Sequence, residues 1–226
     1  MATKNIEIKP LQMEEVRVKI VGDTSLIVHA FSEKAKRMML DAQRGKKTTK
    51  KHEIKIPMND FMDSLHWLTE KPEHGEDDEE AERNFYEAIQ NGARFGVPAN
   101  GIKASIVSGA YRAGLDVKMT ELRGVFFVYG DTEHSTDELA EIIAPAPEMR
   151  EDMVRVGGIS KSADIRYRAE FHKWEIPLRI KYHKDGKYSL EEILNLINYG
   201  GAYSGICEWR PEKNGGQHGM YHLETV

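Results

Sequence analysis

Residues 165–182 read Ile165-Arg166-Tyr167-Arg168-Ala169-Glu170-Phe171-His172-Lys173-Trp174-Glu175-Ile176-Pro177-Leu178-Arg179-Ile180-Lys181-Tyr182, and this stretch decides the fold class. Arg166, Arg168 and Glu170 alternate with less polar neighbours, the two-residue period of an extended chain. The interval is long enough for two strands, so it predicts a strand pair. Lys184-Asp185-Gly186-Lys187 supplies the turn that follows. Ser189 then caps a helix running to Tyr199. Its spacing to Glu192 is that of a capping box, and Leu190, Ile193, Leu194 and Ile197 form an apolar stripe. A glycine-punctuated segment, Gly200 to Tyr221, closes the region around Cys207-Glu208-Trp209-Arg210-Pro211.

Working toward the N-terminus, Val154-Arg155-Val156 reads as a strand ending at Gly157-Gly158. Glu121 to Tyr129 alternates before becoming the apolar run Gly124 to Val128, which predicts a buried strand. Pro98-Ala99-Asn100-Gly101 breaks the chain, and Ile102 to Ala113 reads as a helix ending at Gly114. Glu70 to Glu82 is an acidic stretch whose like charges favour a solvated linker or insertion at 70–82. Met58 to Leu68 and Ser32 to Gln43 read as helices, the latter with Ala35, Met38, Met39 and Ala42 near one face. Val16 to Ile20 alternates apolar and basic residues as a half-exposed strand does. Helices mixed with short strands predict an α+β fold built around an antiparallel sheet, as two ferredoxin-like halves, rather than a parallel nucleotide-binding fold. No tandem repeat marks the two halves in the sequence.

At 226 residues with 40% hydrophobic content, the chain suffices for a single α+β body spanning 1–226. A net charge of −5 excludes a uniformly basic coat and leaves room for a local basic patch. The one cysteine, Cys207, makes no intrachain disulfide. No apolar run reaches membrane-spanning length and the N-terminus lacks a signal-peptide centre, so the expectation is a cytoplasmic protein with no membrane partner.

The densest basic tract runs from Lys34 to Lys51, with eight Lys or Arg residues against one acid, Asp41. Its later part, 44–53, reads as an exposed basic loop in which Lys46, Lys47, Lys50 and Lys51 are either simply solvated or contact phosphate. The helix start after Asn100-Gly101 is either an ordinary loop-to-helix junction or, with Lys103, an anion site. Arg210 either fixes the glycine-rich segment to a carboxylate or presents its fork to phosphate. Trp209 and Tyr221 are core closures or stacking platforms. Gly157-Gly158-Ile159-Ser160-Lys161 has the wrong order for a phosphate-binding loop, and the histidines lack metal-ligand spacing. Cys207 reads as buried and inert, and Asp164, Glu170 and Glu208 as arginine partners more than as a metal or acid–base site. No cofactor is expected.

Pro98-Ala99-Asn100-Gly101-Ile102-Lys103-Ala104, followed by Ala110-Tyr111-Arg112, resembles the glycine/lysine helix-start region of the RAMP superfamily of CRISPR RNA-binding proteins. Gly200-Gly201-Ala202-Tyr203-Ser204-Gly205, continuing through Arg210 to Gly215-Gly216 and Gly219, is similar to that superfamily's C-terminal glycine-rich loop, interrupted here by Cys207 and Glu208. Residues from about Val97 to Tyr221 also resemble a family of bacteriophage proteins of uncharacterised function, through Arg166-Tyr167-Arg168, Phe171, Trp174 and Glu208-Trp209-Arg210-Pro211. The resemblance implies a ferredoxin-like fold and a non-enzymatic, phage-associated protein in the host cytoplasm. It would bind RNA or single-stranded DNA, as a homo-oligomer or filament. The expected contacts are Lys46, Lys47, Lys50, Lys51, Lys103, Arg112, Arg166, Arg168 and Arg210 on the backbone, with Trp209 or Tyr221 on an unpaired base. Two rival expectations stand beside it. One is a protein-interaction or structural module that uses the acidic stretch, as an inhibitor of a host defence protein or as a structural component. The other is a metal-dependent nuclease using Asp164, Glu170, Glu208 and a nearby histidine.

Overall fold

From Met13 to Gly22 the chain is extended, with Val18 and Ile20 buried on one side and Glu15 and Arg17 exposed on the other. The computed structural model describes residues 10–31, 33–45, 55–156, 162–213 and 215–224. Its first elements are β1 (Met13–Gly22), β2 (Leu26–Val28), α1 (Glu33–Gln43), α2 (Pro57–Asp63), β3 (His66–Trp67), α3 (Asp78–Gln90), β4 (Phe95–Pro98) and α4 (Ala99–Arg112). Then follow α5 (Met119–Val125), β5 (Phe126–Gly130), β6 (Leu139–Glu141), β7 (Glu148–Val156), β8 (Ser162–Phe171), β9 (Glu175–His183), α6 (Leu190–Tyr199), a π-helical turn (Gly200–Ser204) and β10 (Tyr221–Leu223).

The largest sheet has the order β10-β1-β9-β5, and every pair in it is antiparallel. Taken with α4 and α6, the connection is β1-α4-β5-β9-α6-β10, a βαββαβ path with strand order 4-1-3-2. That is one ferredoxin-like unit. Its inner face carries Val18, Ile20, Phe126, Val128, Leu178 and Ile180, packed in one cluster with Ile102, Ile106 and Ala110 of α4 and Ile193 and Ile197 of α6. Its outer face carries Arg17, Phe127, Tyr129, Arg179 and Lys181.

The expected second ferredoxin-like half is absent among the described residues. The other strands form two three-stranded sheets, β2-β8-β7 and β3-β4-β6, delivered by insertions after β1 and after β5. Neither has a helix crossing between its strands in the βαββαβ manner. Residues 165–182 do hold two strands, β8 and β9, but these pair with different partners: β8 with β2 and β7, β9 with β1 and β5. The step between sheets is held by Trp174, whose ring is buried, whose Nε1–H donates to the Thr24 carbonyl at 2.8 Å, and whose carbonyl accepts from Gly22 N–H.

Two further expectations shift. Residues 121–125 are helical, because Leu122 and Val125, three apart, lie on one helical face as readily as alternate residues lie on a strand; the strand starts at Phe126. The acidic stretch 70–82 divides at Asp77, which caps α3 by accepting from Glu80 N–H at 2.8 Å. Asp78, Glu79 and Glu80 then fill the first turn, where the helix dipole favours carboxylates. Asp78 also accepts from Met58 N–H at 3.1 Å, pinning α3 to α2. The capping box of α6 is present in full, with Glu192 N–H donating to Ser189 Oγ and Ser189 N–H to the Glu192 carboxylate. Met38 and Met39, the expected inner face of α1, are exposed. Among the described residues, no helix is long and apolar enough to cross a membrane.

Candidate nucleic-acid interface

The helix-start motif and the glycine-rich segment, about a hundred residues apart in sequence, meet because α4 lies directly on the π-helical turn. The approach is backbone to backbone. A Cβ at Gly109 would collide with the Tyr199 carbonyl, and one at Gly201 with the carbonyl of Tyr221. Ser105 Oγ seals the junction by donating to the Gly200 carbonyl at 3.0 Å, and it lies 3.1 Å from the Tyr221 hydroxyl. These glycines serve close packing, and the segment they sit in is built, not slack.

A cleft of about 240 Å³ opens beside the junction, lined by the end of β2, by His66, by the start of α4 and by residues 205–212. Closed small-molecule pockets are typically ~300–1,000 Å³, so this one has room for a group the size of one base. Pro98, at the N-cap of α4, provides no side-chain cap, and the first helical N–H, that of Ala99, donates to the Glu138 carbonyl at 2.8 Å. Two imidazoles flank it. Burial, aided by the positive field of Arg168, pushes His29 down to about 4, and burial lowers His66 as well, so both are neutral at pH 7. Cys207 is pushed up to about 12 by burial, so its thiol is inert.

Two features concentrate here. Cys207 and Trp209 adopt left-handed backbone with φ of 62° and 53°, the only non-glycine residues to do so among those described. Such residues cost about 1–3 kcal/mol each and persist where surrounding structure enforces them. His29 Nδ1, Arg168 Nε and Trp209 Nε1 are buried without a hydrogen-bond partner; among the described residues only His183 Nδ1 shares that condition. An unmade buried hydrogen bond costs about 1–3 kcal/mol. Of these groups His29 lines the cleft, Arg168 reaches it through the lining residue Glu208, and Trp209 sits in sequence between the lining residues Glu208 and Arg210.

The expected cations divide. Arg112 and Arg210 converge on Glu212, at 3.4 and 3.3 Å. Burial alone would raise the Glu212 carboxyl, but hydrogen bonds from Ser108, Ser204 and Arg210 outweigh it and hold it below its ordinary value. Arg168 is buried and bonded to Asp152 at 2.9 Å, with Glu208 at 3.8 Å. Arg166, beside it on β8, keeps 39% of its side chain exposed and pairs with Asp164 at 2.9 Å. Lys103 lies away from these, over the rings of Phe126 and Phe127 and bonded to the Arg123 carbonyl. Lys46, Lys47, Lys50 and Lys51 lie outside the described residues.

Two expected contacts are corrected. Arg168, 7% exposed, anchors the loop wall through Glu208 instead of reaching solvent. Tyr221, 1% exposed, has its ring packed beside Trp174 and its hydroxyl beside Ser105, which leaves no face for a base. Of the three carboxylates considered for a metal, Asp164 pairs with Arg166 and Lys55, Glu170 with Arg150, and Glu208 with Lys213. Among the described residues no group of three or more His, Cys, Asp or Glu is arranged to hold a metal ion. Ser25 Oγ donates to Glu170 at 2.5 Å while lying 2.9 Å from His218 Nδ1. The serine hydroxyl thus bridges the carboxylate and the imidazole.

His29, His66 and Glu212 were not singled out by sequence reasoning. The one signal for His29 is its place at the end of the apolar triplet Leu26-Ile27-Val28, where a strand delivers its next side chain to a rim. No protein-family model and no curated protein matches the chain. Among solved structures it is similar to Cmr6 from Pyrococcus furiosus, at 13% identity over 88% of this chain and 95% of that one, with a TM-score of 0.32.

Proposed function

We propose that this chain is a non-enzymatic protein that binds RNA or single-stranded DNA, seating one unpaired base in the cleft at the start of α4. The observation that carries this reading is a cleft shared by the two glycine-bearing motifs and lined by the unpartnered His29 Nδ1 and the left-handed Cys207. Cations and acids balance there, so the cleft suits a neutral group with donors and acceptors on its edge more than a phosphate. A base edge has that chemistry, and two neutral imidazoles offer it both a donor and an acceptor. The flanking backbone then runs past the partly exposed forks of Arg166, Arg210 and Arg112, with Trp209 bordering the base, and Lys46, Lys47, Lys50 and Lys51 are further phosphate contacts in this reading. The resemblance to bacteriophage proteins supports a phage setting in the host cytoplasm, with further copies along the same strand.

The test is fluorescence polarisation of labelled single-stranded RNA and DNA with the wild type and with His29→Ala/Arg210→Gln. Loss of the cleft contacts weakens binding by about tenfold or more, the worth of ~1.4 kcal/mol. A folded double variant with wild-type affinity overturns the cleft, and a wild type that binds a protein partner but no oligonucleotide overturns the nucleic-acid reading.

A further inference from the structure

The outer face of the four-stranded sheet is uncovered by any described element, and its side chains form rows across three strands. Tyr129 on β5 stands opposite Arg179 on β9, which stands opposite Arg17 on β1. In the next row Phe127 stands opposite Lys181, which stands opposite Glu15. Phe127 and Tyr129 share this face two residues apart, which sets their rings about 7 Å apart along the strand at ~3.4 Å per residue. The Arg179 guanidinium lies 5.4 Å from the centre of the Tyr129 ring, and Lys103 Nζ lies 4.4 Å from that of Phe127 at the sheet edge. Arg17 keeps 81% of its side chain in solvent although Asp131 holds it at 3.2 Å. A trough of about 550 Å³ lies between Arg17, Tyr129, Arg179 and the loop 130–137.

We propose that this sheet face is a second binding surface for single-stranded nucleic acid, in which Phe127 and Tyr129 stack successive bases and Arg17, Arg179 and Lys181 take the phosphates. The argument is one of chemical complementarity. Aromatic faces spaced along a strand accept any base, and guanidinium forks beside them match phosphate oxygens bidentately. Glu15, which pairs with Arg179 and Lys181, and Asp131, which pairs with Arg17, are the resting partners that phosphate replaces. Glu133 and Asp137 in the loop wall repel phosphate, so the strand leaves the trough toward Lys181 and Lys103. A protein partner fits less well: Phe127 is the one exposed large hydrophobic on β1, β5, β9 and β10 among the described residues, so the face lacks the aliphatic surface that an interface core buries.

This surface is separate from the cleft, and one experiment distinguishes them. Oligonucleotides of RNA and of DNA carrying photoreactive bases are cross-linked to the wild type, and the attached peptides are identified. In parallel, Phe127→Ala/Tyr129→Ala and Arg17→Gln/Arg179→Gln are titrated over a salt series, with thermal unfolding as the check on folding. The expected result is a cross-link in the 126–130 peptide for at least one of the two nucleic acids. The arginine variant should also have a salt slope shallower by about 1.4, two phosphates at about 0.7 each on a single strand. Cross-links confined to residues 205–213, with both sheet variants binding as the wild type does, overturn this inference and leave the cleft reading standing. Loss of binding in the sheet variants alone supports the inference and counts against the cleft. If the aromatic variant fails to fold, the arginine variant alone decides, since Arg17 is solvent-exposed. Absence of binding by the wild type overturns both.

Discussion

Arg168 shows how a side chain chosen for its charge becomes a structural part. It and Asp152 lie on neighbouring strands with side chains 9% and 8% exposed. Burial alone would raise the Asp152 carboxyl, but hydrogen bonds from Arg150 and Arg168 outweigh it and hold it below its usual value. Removing one member of a buried pair strands the other. Asp152→Ala should therefore cost ~3–5 kcal/mol in urea denaturation, and adding Arg168→Met should recover most of that loss. No recovery in the double variant would show that the pair's geometry, not its charge, sets the cost. His29 carries a pH signature. Its folded value of about 4 lies below the 6.5 of an ordinary imidazole, so below pH 6.5 the unfolded chain binds a proton that the folded chain refuses. Stability should fall as pH drops from about 6.5 toward about 4, and His29→Asn should flatten part of that slope; His66, shifted the same way by burial, keeps the remainder. A slope identical in the variant contradicts a neutral, buried His29. The sequence exposed these arginines but not the acids that hold them, because Arg112 meets an acid 100 residues away in the chain and only the fold brings Glu212 to it.

At the scale of elements, the caps were written locally and the sheet partners were not. Ser189 and Glu192 specify the start of α6 within four residues, and that helix begins where the sequence says. Alternation in β9 fixes which face that strand buries, whereas in β8 Arg168 is buried and Ile165 exposed; neither pattern says which strand lies alongside, so two consecutive strands end in different sheets. The acidic stretch 70–82 reads as solvated charge until Asp77 is seen capping a helix. The glycines of 200–219 read as freedom, whereas Gly201 is there so that the π-helical turn can rest on the carbonyl of Tyr221. Gly201→Ala should therefore destabilise the fold by about 2 kcal/mol or more, as overpacked and strained sites do, seen as a markedly lower unfolding temperature. Gly124→Ala in α5, where a Cβ meets nothing within 4 Å, should be neutral or slightly stabilising. Equal effects at the two positions would mean that the junction of α4 with the turn is not close-packed.

At the scale of the whole molecule, one ferredoxin-like sheet holds two candidate surfaces apart: a cleft on the helix side, where α4 meets the glycine-rich segment, and an open face behind it. The α+β class and the antiparallel sheets were legible from period and turn residues. The single unit was not, because its strands are separated by insertions longer than the strands themselves and share no repeated sequence. A chain of net charge −5 can still bind a polyanion where acids only neutralise neighbouring cations and give way to phosphate. Titration of the wild-type protein with a labelled single-stranded RNA over a range of salt concentrations tests that claim most directly. Saturable binding whose logarithm falls with log salt, by about 0.7 in slope for each phosphate contacted, is the result predicted. No binding at low salt, or binding with no dependence on salt, contradicts it.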